Sequence, residues 1–163
     1  MRKPKLSIFA VVVFCLITGN AIAASSSGSS RTANRLGAYV SILGDPFVSM
    51  FGANIGVNLT DFLRVNGGAG ATVTGIINGN TYGGSAKLFI PGWNLSPFIG
   101  YGYSVVKVDF LGLVSKTFTG VTYVQGGLDW TADIGFNFGI GVNKSINLGK
   151  VGAVPFLHFG WYF

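Results

Sequence analysis

The chain has 163 residues, of which only 10% are charged, against about a quarter in an ordinary soluble domain, and glutamate is absent. Eleven basic residues face five aspartates for a formal net charge of +6, but Arg2, Lys3 and Lys5 precede the first apolar run, and no basic cluster suited to nucleic acid follows. So sparse a set of charges cannot coat a water-soluble surface, and a lone cysteine, Cys15, excludes an internal disulfide and a thiolate metal cluster.

The first 23 residues read as a secretory signal peptide: a basic start, an apolar run from Leu6 to Ile17, a Gly19-Asn20 break and Ala21-Ile22-Ala23 before the expected cut. The apolar run is shorter than the roughly 20 residues a spanning helix needs. Cys15 lies inside this leader and follows Phe14 rather than a small residue, so the exported chain is expected to be cysteine-free and without a lipid anchor. Residues 24–35 are small and polar, bury little apolar surface, and are expected to form a flexible periplasmic tail ahead of a single domain over 36–163.

From Leu36 onward the pattern has period two, apolar residues alternating with Gly, Asn, Ser or Thr. Turn signals divide it into eight strands near 36–43, 48–59, 63–74, 82–91, 97–109, 120–130, 135–145 and 152–163. The fold class this predicts is all-β: an eight-stranded antiparallel up-and-down transmembrane β-barrel. Eight strands of about ten residues fit the 128 residues available and leave about seven per connection, whereas sixteen do not fit. Shorter connections around Thr60, Gly92 and Ala132 alternate with looser ones around Gly44-Asp45-Pro46, 75–81, 110–119 and 146–151, the former assigned to the periplasmic side and the latter to the outside.

Facing is clearest in strand two, where Phe51, Ala53, Ile55, Val57 and Leu59 point outward and Gly52, Asn54, Gly56 and Asn58 inward. Strand seven repeats this, with Phe136, Phe138, Ile140 and Val142 outward. A soluble ligand-carrying barrel would show the inverse arrangement. Strand five reads either way, and Tyr101 and Tyr103 are assigned outward. On the same parity rule Arg64, Lys87, Gln125, Asp129 and His158 face the lumen, because Arg or Lys on the lipid face at mid-bilayer costs about 2–4 kcal/mol. They are expected to form a polar network in which Asp129 compensates Arg64 or Lys87. Phe62, Trp93, Phe98, Trp130, Phe136 and Trp161 lie beside proposed inner connections and are expected to form an aromatic girdle. Lys107, Lys116, Lys144 and Lys150 fall near proposed outer ends, with Asp45 and Asp109 beside them, and form a basic rim suited to the phosphates of lipopolysaccharide.

Chemistry-bearing motifs are few. His158 is the only histidine, which excludes a multi-histidine metal site, and neither a metal nor a cofactor is expected. Ser104, His158 and Asp129 supply the residue types of a nucleophilic triad, as almost any chain of this length does. The glycine clusters at 67–70 and 83–87 lack the Gly-Lys-Ser/Thr ending and the helix of a phosphate loop.

The alternating strands, the glycine-rich inner face and the final run Phe156-Leu157-His158-Phe159-Gly160-Trp161-Tyr162-Phe163 resemble the small eight-stranded outer-membrane barrels, of the OmpX-like and OmpA-transmembrane-domain type that includes opacity-like surface proteins. The resemblance covers 36–163. It implies delivery by periplasmic chaperones, with Leu157, Phe159, Trp161 and Phe163 read by the barrel-assembly machinery, residence in the cell outer membrane among its lipids, and a non-catalytic structural or surface-interaction role with a filled lumen. A narrow passive pore and a lipid-modifying outer-membrane enzyme are the alternatives. A lipid A deacylase barrel would carry a serine two residues from its histidine, and Gly160 stands there instead.

Overall fold

A computed structural model describes residues 30–47, 49–73, 77–110, 114–148 and 152–163. A helical turn, α1 (Ser30–Ala33), precedes eight strands: β1 (Leu36–Ile42), β2 (Phe51–Asn58), β3 (Leu63–Val73), β4 (Ile77–Phe89), β5 (Leu95–Phe110), β6 (Val114–Thr131), β7 (Phe136–Ser145) and β8 (Val154–Tyr162). Each strand pairs antiparallel with its neighbour in sequence, and β8 pairs with β1, from Gly37 opposite Tyr162 to Ile42 opposite Leu157, which closes the barrel. Closure leaves no sheet edge in the wall, the condition for a strand structure to sit in hydrocarbon.

The period-two pattern separates two environments. Outward positions expose large apolar side chains, among them Phe51, Ile55, Ile99, Leu128, Ile140 and Val142. Inward positions hold buried asparagines, serines and charges together with the aromatics Tyr39, Phe89, Phe98, Tyr123, Phe156 and Tyr162. Tyr101 and Tyr103 are about half exposed while Gly102 and Ser104 are buried, so strand five faces as assigned.

Two expected loops are largely strand. Residues 77–81 extend β4 and residues 114–119 extend β6, so that Ile77 pairs with Phe110 and Phe110 with Val114. The polar composition of these stretches imitates a loop, but cross-strand pairing continues past the point where the apolar face ends. β7 begins its pairing with β6 only at Tyr123, opposite Ser145, so among the described residues Val114–Val121 pairs with β5 alone and the β5–β6 hairpin projects beyond β7. The β5–β6 register shifts between Ser104 and Val106, opposite a stretch containing Gly120 at φ +74°. That left-handed residue accommodates one extra residue in β6, and a bulge of this kind bends the projecting hairpin relative to the wall below it.

Residues 30–35, expected to be part of a flexible tail, are instead laid across the end of the barrel where the chain enters. Arg31 is fully buried, and Asn34 is tied down by Asn58 Nδ2 donating to its carbonyl at 2.7 Å. The tail's own polarity gave no apolar reason to order it, and the order comes from hydrogen-bond donors and acceptors supplied by the barrel. At the opposite end the β1–β2 connection folds inward: Asp45, Phe47 and Ser49 are all buried.

Candidate functional site

The lumen gathers the chain's chemistry, and strand register explains how. Arg64 on β3 lies directly opposite Asn58 on β2 and Lys87 on β4, while Asp129 on β6, Gly139 on β7 and His158 on β8 form one row across three strands. Gly139 is what lets the row close, since a Cβ at that position would overlap the His158 ring. With the gap open, His158 Nε2 reaches Asp129 Oδ2 at 3.1 Å.

Asp129 is the centre of the inner tier. Arg64 donates from Nη1 to Oδ2 at 2.9 Å and from Nη2 to Oδ1 at 3.3 Å, Asn137 Nδ2 donates to Oδ1 at 3.0 Å, and Arg31 Nη2 lies 3.4 Å from Oδ1. Arg64 Nε donates to Asn58 Oδ1 at 2.8 Å. Both guanidinia also face the Phe89 ring, Arg31 at 4.4 Å and Arg64 at 4.9 Å from its centroid, and Arg64 faces Tyr162 at 4.4 Å. Arg64, Asp129 and His158 are thus brought together.

Lys87 belongs to a second tier and does not bond to Asp129. Its Nζ lies 3.4 Å from Asp45 Oδ2, among the rings of Tyr39, Phe98 and Phe156 at 5.1–5.6 Å. Asp45, assigned from sequence to the outer rim, is therefore inside. Its backbone carbonyl accepts from Ser41 Oγ and from Asn54 Nδ2, and Asn143 Nδ2 donates to the Gly44 carbonyl. Phe47 from the same connection stacks on Tyr123, centroids 5.2 Å apart and planes 15° from parallel. Gln125 also faces inward, but neither of its amide atoms has a hydrogen-bond partner, so it stands apart from both tiers.

Three residues that complete this interior were not legible as such. Arg31, Asp45 and Asp61 are buried alongside Arg64, Lys87 and Asp129, so among the described residues three buried cations match three buried carboxylates. Charge accounting supplies the one usable signal: Arg64 and Lys87 inside with a single inward aspartate leaves a carboxylate missing, and Asp45 is the one a turn could bring to Lys87.

Other expected sites separate. Trp130 and Phe136, and Phe136 and Trp161, meet edge to face at 6.0 Å, while Trp93 is exposed and Phe62 half-buried at the same end. Phe98 is not part of a girdle. It shares parity with Gly100 and Gly102, points into the lumen at 3% exposure, and packs between Phe89 and Phe156. Leu157, Phe159, Trp161 and Phe163 share the outward face of the closing strand and its end. Lys107 and Lys144 are exposed, the Lys116 backbone pairs with Val108, and Lys150 lies outside the described residues. Ser104 Oγ has no hydrogen-bond partner, so nothing joins it to the His158–Asp129 pair. Among the described residues no cluster of three His, Cys, Asp or Glu could hold a metal ion.

The wall, its closure and its eight-strand register can be set beside known proteins. No protein-family model and no curated protein matches the chain. Among solved structures, the N-terminal β-barrel domain of Pseudomonas aeruginosa OprF superposes with a TM-score of 0.62 at 18% identity, over 79% of this chain and 96% of that one. The fold is that of the small eight-stranded outer-membrane barrels. Neisserial surface protein A (14% identity, 83% of this chain and 97% of that one, TM-score 0.46) and the Yersinia pestis outer membrane protein Ail (13%, 80% and 99%, 0.47) are more distant matches.

Proposed function

We propose that this chain is an integral outer-membrane barrel with a structural and surface-interaction role, its interior a fastening for the wall and neither a conduit nor a reaction site. The observation that carries this reading is closure of the lumen from both ends by the chain itself, Arg31 entering at one end and Asp45 and Phe47 at the other. Eight strands enclose a space just wide enough for side chains to fill, and here paired charges and rings fill it. What is left to meet other molecules is the outside: the apolar wall, and the β5–β6 hairpin that rises past β7.

On this reading the end carrying the three turns 59–62, 90–94 and 132–135 faces the periplasm and the projecting hairpin faces out. Lys144, near the outer end of β7, then stands at the level of the outer-leaflet headgroups and pairs with lipopolysaccharide phosphates, while Lys107 lies higher, on the projecting hairpin. Below Lys144 an apolar groove of about 590 Å³ runs between Leu88, Ile99, Tyr101, Val124 and Val142 and suits an acyl chain of the same lipid. Outward Trp161 and Phe163 on the closing strand serve the assembly machinery after export.

Cysteine labelling tests the reading. On intact cells Asn78→Cys should react with an impermeant thiol reagent and Ile134→Cys should not, with both chains in the outer-membrane fraction and shifting in mobility on heating. Reversed labelling, or a soluble chain, contradicts it.

A further inference from the structure

Arg31 lies outside every strand, so no sheet register forces it inward, and yet it is fully buried. Its Nη1 donates to the Trp93 carbonyl at 2.5 Å, and its Nη2 faces the Asn94 and Asp129 carbonyls at 3.3 Å and Asp129 Oδ1 at 3.4 Å. The Phe89 ring lies under its guanidinium carbon at 4.4 Å. Three carbonyls and a carboxylate oxygen gathered around its two terminal nitrogens, with an aromatic face beneath, match a flat cation with several donors, whereas an ammonium is a single point that cannot serve them all and lie on the ring.

We infer that the mouth of the barrel between the 90–94 turn and the end of β6 is a guanidinium-binding site, which the chain fills with its own Arg31 to latch its N-terminal segment across the lumen.

The surroundings are built for the same purpose. Ser30 Oγ donates to Asn94 Oδ1 at 2.6 Å or to the Thr131 carbonyl at 2.8 Å, and Asn34 Nδ2 donates to the Asp133 carbonyl at 3.2 Å, so the residues flanking Arg31 dock on the same 90–94 turn and around the same end of β6. A single turn of helix has no stability of its own in water. Its placement therefore depends on what it binds, and the guanidinium is the part of it that reaches Asp129 and the Phe89 ring inside the barrel. Arg64 reaches the same ring and the same carboxylate from the wall. Two cations sharing one carboxylate repel, so the Arg31 site is the weaker of the two and the one whose occupant, held by a short segment instead of a strand, can leave.

The test uses the full chain in lipid nanodiscs, native and as Arg31→Ala, titrated with ethylguanidinium and, in parallel, ethylammonium. In the variant the backbone amide signals of Trp93, Asn94 and Asp129 should shift saturably with ethylguanidinium and at least about tenfold more weakly with ethylammonium, while the native chain, its site occupied, shows neither. Equal responses of native and variant chains, equal responses to the two cations, or no response in the variant overturns the inference. Arg31→Lys keeps the charge beside Asp129 and guards against loss of folding. A spin label at Ala33 should be immobile in the native chain and mobile in Arg31→Lys, and equal immobility in both overturns the latch.

Discussion

Asp129 meets two guanidinia, an imidazole and an amide within 3.4 Å and is fully buried, so removing its charge leaves Arg31 and Arg64, both against the Phe89 ring, without the carboxylate they share. Breaking a buried pair by deleting one partner typically costs about 3–5 kcal/mol, and Asp129→Ala should lower the stability of the folded barrel in urea by that order. Because Arg64 and Asp129 share one interaction, adding Arg64→Met should cost less than the two single losses summed, by about 1 kcal/mol or more in a double-mutant cycle. Additive losses would show that Asp129 acts elsewhere. Gly139→Val is the steric counterpart: a branched side chain in the Asp129–Gly139–His158 row should drive the imidazole off the carboxylate, seen as loss of the His158 ring signal's coupling to Asp129→Asn. The facing of Arg64, Asp129 and His158 was legible because parity along a strand is a two-way choice and a charge in lipid is expensive. Which carboxylate served which cation was not, since pairing across a lumen depends on register around the whole barrel.

At the scale of elements, the β1–β2 connection is held in the mouth by the Lys87–Asp45 pair and by the Phe47–Tyr123 stack. Lys87→Met removes the charge partner while keeping most of the side chain's bulk. It should leave the barrel folded and raise backbone hydrogen exchange at Gly44 and Ser49 well above native, with exchange in β3 unchanged; unchanged exchange at both sites would mean the pair does not hold the connection. The closing strand presents Phe159 and Trp161 outward beside Phe136. If that face carries the assembly signal the family resemblance implies, Trp161→Ala combined with loss of Phe163 should sharply reduce the heat-modifiable folded species in cells, while the same chain refolded in detergent should regain it. Equal recovery in both settings removes the signal reading. The strands themselves were legible from alternation and turn residues, to within a few positions at most ends. The extensions of β4 and β6 were missed because the runs Asn78-Gly79-Asn80 and Ser115-Lys116-Thr117 contain no apolar side chain and read as turn residues. A strand that leaves the membrane no longer alternates between lipid and lumen, so period two vanishes while pairing persists.

For the whole molecule, the wall and the interior make one argument. An apolar outer surface over a closed sheet calls for a hydrocarbon surrounding, and an interior with matched buried charges calls for exclusion of water from the axis. The latched N-terminal segment and the inturned β1–β2 connection add a stopper at each end, and neither was foreseeable: the first reads as a flexible tail and the second as an exposed Gly-Asp-Pro loop. Both are ordered by partners far away in sequence, Trp93 and Asp129 for Arg31, Lys87 for Asp45. Between the two stoppers, paired charges and rings fill the lumen. Single-channel recording of the native chain in planar bilayers tests this most directly. The native protein should give no steady conductance steps of porin size at any polarity, and stable porin-sized steps from a purified, heat-modifiable preparation would contradict a filled lumen.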